Sequence, residues 1–192
     1  FYRNRHTGNF GQFGALSFNG NKTITTGGGG AILTNDSLLA KKVKHLTTTA
    51  KLSDGWRSVH DKVGYNYRMP NLNAALGCAQ LEQMSYFVAA KRKLFARYEK
   101  AFLGLEGISV KREPIECVSN YWLNTLVLDN NHVNHHEALL NTLNEYGYMS
   151  RPAWTPLHRL APYQECPRAE LKVAENLVTR LINIPSSAML GE

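Results

Sequence analysis

The sequence predicts an α/β chain in two parts, and three observations carry that prediction. Short apolar, partly β-branched runs are interleaved with longer stretches of helical period, so strands and helices alternate. A long helical stretch over residues 82–103 lies between a first half read as strand, strand, helix, helix and a second half read as strand, strand, helix, helix, strand. The latter is the pattern of a small α+β unit. The chain has 192 residues, 43% of them hydrophobic and 19% charged, enough for one generous domain or two small ones, each with a core.

The first two strands are read in "GALSFN" (residues 14–19) and "GGAILTN" (residues 29–35), separated by a polar segment and glycines. A helix follows in "NDSLLAKKVKHL". It starts at Asn35 or Asp36, with Leu39, Val43 and Leu46 on one face and Lys41, Lys42 and Lys44 on the other. Residues 47–67, "TTTAKLSDGWRSVHDKVGYNY", have no period, and so long a stretch without an element is more often functional than idle. Pro70 fits the first turn of the next helix, in which Leu72, Ala75, Leu76 and Ala79 share a face. The basic run "AKRKLFARYEK" (residues 90–100) reads as a solvated helix face.

Strand candidates "GISVKR" and "YWLNTLVLD" come next. The helix in "NHHEALLNTLNEYGY" has a capping-box pair, Asn134 and Glu137, a buried stripe of Leu139, Leu140 and Leu143, and Gly147 as its C-cap. After the loop "SRPAWTPLHRLAPY", a helix over residues 168–180 and the strand "LINIP" complete the pattern. The expected domain boundary falls between residues 95 and 96.

Composition excludes several classes. Three well-separated cysteines, Cys78, Cys117 and Cys166, offer neither a disulfide framework nor a CxxC site. The histidines of "HVNHH" (residues 132–136) lack partners at ligand spacing and read as a solvated loop leading into a helix, so no metal is expected. With no apolar run of membrane-spanning length and no leader-like segment, a cytoplasmic location is expected and no membrane partner. A formal net charge of +7 and a sequence pI of about 9.4 favour a polyanion or a phosphorylated small molecule as partner. No zinc-finger, helix-turn-helix or RNP pattern accompanies that charge, so nucleic acid is not the expected ligand.

The stretch "SFNGNKTITTGGGG" (residues 17–30) draws attention to Lys22. Amine nucleophiles need a site that favours the neutral form, and a lysine on a turn between two apolar strands has a route to such burial. Ser17, Thr25, Thr26 and the glycines offer hydroxyls and approachable backbone N–H groups to a phosphate. The other reading of the glycines at residues 27–30 is a flexible hairpin connection. Neither a P-loop nor a GxGxxG fingerprint is present.

"FGALSFNGNKTITTGGGGAILTND", "GYNYRMPNLNAALGCAQLEQ" and "RPAWTPLH" together resemble the DegT/DnrJ/EryC1/StrS family of sugar aminotransferases, over nearly the whole chain. The resemblance implies the C-terminal part of a type I, aspartate aminotransferase-like, pyridoxal phosphate-dependent transferase. Residues 1–95 would be the end of its large cofactor-binding domain and residues 96–192 its small α+β domain. It makes Lys22 the lysine that holds pyridoxal 5'-phosphate as a Schiff base and Ser17 a ligand of the cofactor phosphate. Asn66 reaches across a homodimer interface to the neighbouring subunit's phosphate. Arg68 binds an anionic substrate group or forms an internal salt bridge. Arg151, Trp154 and His158 touch the nucleotide-sugar or pack ordinarily.

The implied reaction moves an amino group from glutamate to the 4-keto carbon of a nucleotide-linked sugar. Gly28 departs from many members, which have a glutamate there. The all-glycine run resembles the branch acting on UDP-linked 4-keto-6-deoxy-N-acetylhexosamines. Family members carry a preceding part with the aspartate that pairs with the pyridinium nitrogen, so these 192 residues alone are expected to bind the cofactor weakly and not to transaminate. A basic, non-catalytic binding module is the alternative. Dehydratase relatives have a histidine in place of the lysine, and Lys22 argues against that chemistry.

Overall fold

In the computed structural model, which describes residues 1–53 and 56–192, the first unit comprises Phe1–Ser85 with Ile115–Val118. Strands β1 (Gly14–Ser17) and β2 (Gly30–Leu33) pair antiparallel, with Ser17 opposite Gly30 and Gly14 opposite Leu33. Helix α1 (Ser37–Thr47) begins where expected: the Asp36 carboxylate accepts from the N–H groups of Leu38 and Leu39 at 2.8 and 3.0 Å. Leu39, Val43 and Leu46 are half-buried and Lys41, Lys42 and Lys44 exposed, matching the predicted faces.

Asp54 and Gly55, within the predicted unperiodic loop, lie outside the described residues. Thr47 belongs to α1, and beyond it the described part of the loop has isolated bridges but no helix or strand; it is closed at its base, where Tyr65 N and Tyr67 N donate to Leu46 O and Thr47 O at 2.7 and 2.9 Å. Ala50 is fully buried at φ 49, and a Cβ on Gly64 would stand 2.5 Å from Ala50 N, so only glycine fits there.

Helix α2 (Asn71–Glu82) corrects one expectation. Pro70 is the residue before the first turn, extended at ψ 151. The apolar face is turned outward, with Leu72 86% and Leu76 42% exposed. The face that packs is Asn73, Gly77 and Gln80, which hydrogen-bond and fit against Thr25 and Thr26.

The second unit, Tyr86–Pro114 with Ser119–Glu192, contains most of α3 (Met84–Phe102), which is separated from α2 by a break at Gln83. The packing divides α3 between Ser85 and Tyr86, nearer its start than the expected boundary. Ala90, Lys91, Leu94 and Phe95 are buried, and Phe95 stacks on Tyr121 at 4.1 Å. Strands β3 (Ile108–Val110), β4 (Asn124–Leu128), β5 (Arg151–Pro152) and β6 (Leu181–Ile184) form an antiparallel sheet in the order β3-β4-β6-β5. Leu126, Ile182 and Ile184 form its core. Tyr98 and Phe102 of α3 and Leu139, Leu140 and Leu143 of α4 (His136–Glu145) pack against them.

Two helix starts differ from expectation. Asn134 does not cap α4, because residues Asn130–His135 are already a 3-10 turn and the chain is helical before the predicted start. Helix α5 is only Lys172–Val178. Its predicted first turn is absent, and Arg168 instead donates to Gln164 O at 2.6 Å, folding residues 164–168 back on themselves. Gly147 ends α4 as expected, at φ 81, with Tyr148 N donating to Leu143 O.

The basic run of α3 is only partly a solvated face: Lys93, Arg97 and Lys100 are exposed, whereas Lys91 and Arg92 are engaged internally. Lys91 is 6% exposed, and its ammonium donates to Trp122 O and Ser186 O; burial holds its pKa below the ordinary lysine value. Arg97 donates to Leu190 O. Arg92 forks onto Glu113 at 2.7 and 3.0 Å and also donates to Ser119 O.

The hydrogen bond from Arg92, joined by one from Ser119 N, keeps the Glu113 carboxyl below its ordinary value of 4.5. A depressed carboxyl contributes stability that is complete above that value and lost as pH falls through the folded-state value. Because Arg92 is 38% exposed, Glu113→Gln should cost about 1 kcal/mol at neutral pH. The difference from wild type should shrink on acidification. Denaturant titrations at about pH 7 and about pH 3 check this, and a difference unchanged at the lower pH would refute it. Among the described residues, no helix is long and apolar enough to cross a membrane.

Candidate active site

The lysine turn is built from the end of β1. Phe18 N donates to Gly29 O at 3.0 Å, and Phe18 O accepts from both Thr26 N and Thr25 Oγ1 at 3.1 and 2.9 Å. Residues 19–24 form a turn closed at this base, tightened by Lys22 N donating to Asn19 O at 3.0 Å. Lys22 is half-buried on it. Ser17, exposed at the end of β1, accepts a long bond from Asn19 N at 3.4 Å, and its O–H remains a donor for an anion.

Thr25 and Thr26 do not offer their hydroxyls to a phosphate, which corrects that expectation. The Thr25 hydroxyl is taken by Phe18 O and Gly27 N, and that of Thr26, which is 3% exposed, donates to Gly28 O. These hydroxyls hold the turn together.

The glycine run is a conformational requirement more than a flexible connection. Gly27 and Gly29 sit at φ 78 and 85, where other residues are strained. At Gly30, opposite Ser17, a Cβ would stand 2.3 Å from Leu16 O. Gly30→Ala should therefore disrupt the hairpin at Ser17 and cost on the order of 3 kcal/mol. Gly28→Ala, in open space and outside the positive-φ region, should cost less than about 0.5 kcal/mol. Thermal melts of the two variants check the contrast; equal stabilities would refute it.

A cleft of about 800 Å³ opens in the same unit, walled by Leu16, Ala31 and Ile32 of the hairpin, Val43 of α1, and Arg68 and Met69. Lys22 is not among its lining residues. Arg68 donates to Asn66 Oδ1 at 3.3 Å, and Asn66 itself forms a bridge with Thr48 across the loop base. Both are exposed, and among the described residues no ion pair holds Arg68.

The second-unit candidates differ in how committed they are. Arg151 is exposed on β5, in register with Asn183. Trp154, 67% exposed, stacks on Trp122 with ring centroids 6.0 Å apart. His158 has an internal partner: its Nε2 meets the Glu175 carboxylate, which Arg159 also grips. The histidine segment is a 3-10 turn, not a solvated loop, and His136 Nε2 lies 3.1 Å from Leu181 O. No group of three or more metal-ligating side chains occurs among the described residues.

Sequence reasoning missed Asn73 and Gln80, which touch the segment just after Lys22. Their signal was available: polar residues at helical spacing with Gly77 between them on α2.

The model of the DegT/DnrJ/EryC1/StrS aminotransferase family matches residues 1–192. GDP-perosamine synthase of Escherichia coli O157:H7 is 36% identical over 190 residues, which are 99% of this chain and 50% of that protein. UDP-4-amino-4,6-dideoxy-N-acetyl-beta-L-altrosamine transaminase of Helicobacter pylori is 26% identical over 192 residues, covering 99% and 51%. The solved structure of Helicobacter pylori PseC, an aminotransferase involved in the biosynthesis of pseudoaminic acid, superposes with a TM-score of 0.90 at 25% identity, over 98% of this chain and 51% of that one. That of DesI in the presence of its TDP-sugar product gives 0.87 at 25% identity, over 98% and 48%. The chain spans about half the length of the curated relatives it matches.

Proposed function

The chain belongs to the DegT/DnrJ/EryC1/StrS aminotransferase family, and from that premise we propose that it forms part of a pyridoxal phosphate-dependent enzyme moving an amino group from glutamate to the 4-keto carbon of a nucleotide-linked sugar. Its architecture is that of the C-terminal portion of a type I transferase. One observation carries the reading. In a chain matched to this family over residues 1–192, Lys22 stands half-buried on a turn closed at its base, in the same hairpin as a serine with a hydroxyl to donate.

The residues present suit the cofactor: a primary amine for its carbonyl, a hydroxyl for its phosphate, and glycines that bring the backbone close. Bound there, pyridoxal phosphate supplies an electron sink for charge developing at the carbon that bears the amine. Lys22 Nζ holds the cofactor covalently and moves a proton to and from the substrate carbon. Ser17 donates to the phosphate. Asn66 serves the site of a second copy in a homodimer, and Arg68 orients an anionic substrate group. Arg151 and Trp154, exposed on the second unit, are available to meet the nucleotide-sugar; His158 is the weaker candidate because Glu175 already engages it.

The sugar substrate we infer is a UDP-linked 4-keto-6-deoxy-N-acetylhexosamine, with the enzyme in the cytoplasm. The 36% identity to a GDP-perosamine synthase favours a second reading, a GDP-linked sugar. The basic-module alternative is weakened, since Lys91 and Arg92 are engaged in internal bonds, while Lys93, Arg97 and Lys100 stay exposed.

The test is borohydride reduction after incubation with pyridoxal phosphate, on this chain and on the complete protein, followed by peptide mapping. The expected result is a stoichiometric pyridoxyl label on Lys22 of the complete protein, removed by glutamate pretreatment, with little label and no turnover for the 192 residues alone. Scattered label on the complete protein would overturn the reading. UDP- and GDP-linked 4-keto sugars offered to the glutamate-treated protein then separate the two substrates.

A further inference from the structure

The polar face of α2 meets the segment that leaves the lysine turn. Asn73, Gly77 and Gln80 lie at i, i+4 and i+7, a single helical face. Asn73 Nδ2 donates to Thr26 O, and Thr25 N donates to Gln80 Oε1 at 3.3 Å. Between them Gly77 is buried; a Cβ there would stand 2.8 Å from Thr26 Cγ2, so the absent side chain is what lets helix and turn meet. Orienting this face inward leaves Leu72 and Leu76 exposed.

These contacts are placed where they control Lys22. The turn of residues 19–24 is closed on one side by Phe18, whose carbonyl accepts from Thr25 and Thr26. The same two residues are held on the other side by α2. Thr25 and Thr26 are thus gripped from both directions, and the backbone just after the lysine turn cannot drift without breaking bonds to Asn73 and Gln80. The amide of Thr25 and the carbonyl of Thr26 have these side chains as partners, and a partly buried amide left unpaired is costly.

We propose that Asn73 and Gln80 are positioning residues for Lys22: through Thr25 and Thr26 they hold the lysine turn in the geometry that covalent cofactor attachment needs. The inference rests on the cofactor reading above and extends it to residues with no direct part in the chemistry.

The test uses the complete protein and three variants. Asn73→Asp keeps the shape but removes the donor to Thr26 O. Gln80→Leu removes the acceptor for Thr25 N, whereas Gln80→Glu keeps it. The readouts are pyridoxal phosphate affinity from the absorbance of the bound cofactor, borohydride label at Lys22, melting temperature, and exchange protection of the Thr25 amide.

The expected result is about tenfold weaker cofactor binding and reduced label in Asn73→Asp and Gln80→Leu, with both near wild type in Gln80→Glu. Affinity and labelling at wild-type levels in Gln80→Leu would overturn the proposal, as would a loss in Gln80→Glu equal to that in Gln80→Leu. If Asn73→Asp does not fold, the Gln80 pair decides alone. If wild type takes no label at Lys22, the cofactor reading fails. The clamp is still tested, because Thr25 amide protection must fall in Gln80→Leu and persist in Gln80→Glu, and the opposite pattern overturns it.

Discussion

Lys22→Ala in the complete protein is expected to abolish borohydride labelling at that position and to lower turnover by at least about a thousandfold, with little change in stability. The size of the effect follows from the two tasks assigned to one side chain. Its Nζ is the covalent attachment point and the group that moves a proton at the substrate carbon. No neighbour on the turn can take its place, since Asn19, Gly20, Asn21, Thr23 and Ile24 carry no amine. Lys22→Arg should fail as completely, because a guanidinium keeps the charge but stays protonated and cannot serve as the nucleophile. Mass spectrometry of the reduced protein and a glutamate-dependent turnover assay check both variants. Turnover within about tenfold of wild type in Lys22→Ala would sink the proposed chemistry.

The second large effect lies in the core of the second unit. Leu126, 1% exposed, stands at the centre of β4, opposite Val110 of β3 and Ile182 of β6. Truncation to alanine removes buried apolar surface and leaves a cavity between sheet and helices, because neighbouring strands held by their hydrogen bonds relax only partly. Leu126→Ala should cost about 3–4 kcal/mol, enough to lower the melting temperature by on the order of 15 °C. Leu103→Ala, at a site 81% exposed just beyond α3, should cost less than about 0.5 kcal/mol. Denaturant titration of the pair checks the contrast. A loss below about 1 kcal/mol for Leu126→Ala would show that this sheet is not the core that holds the unit.

Much of the fold was legible because it is local. The cap at Asp36, the stripe of Leu139, Leu140 and Leu143 and the left-handed Gly147 all depend on residues within a turn or two of one another. The alternation in β4 is legible for the same reason, since successive side chains point to opposite faces and its burial alternates accordingly. Lys22 and Ser17 were singled out through a resemblance spanning several motifs, and they lie on the hairpin and its turn.

What was not legible shares a different cause. Leu72, Ala75, Leu76 and Ala79 share a face, but periodicity says only which face is apolar, not what that face meets. The contacts that turn α2 the other way join Thr25 to Gln80 and Thr26 to Asn73, 55 and 47 residues apart in sequence. Lys91 and Arg92 looked solvated for the same reason: their partners, Ser186 and Glu113, lie 95 and 21 residues away. By itself the sequence determined most of the strands and helices, the glycine that ends α4, and which lysine to suspect. Only the tertiary structure decided which helix faces are interior and which polar groups are already spent. Local backbone preference acts over a few residues, whereas the pairing of a buried polar group depends on whichever distant segment the fold brings to it.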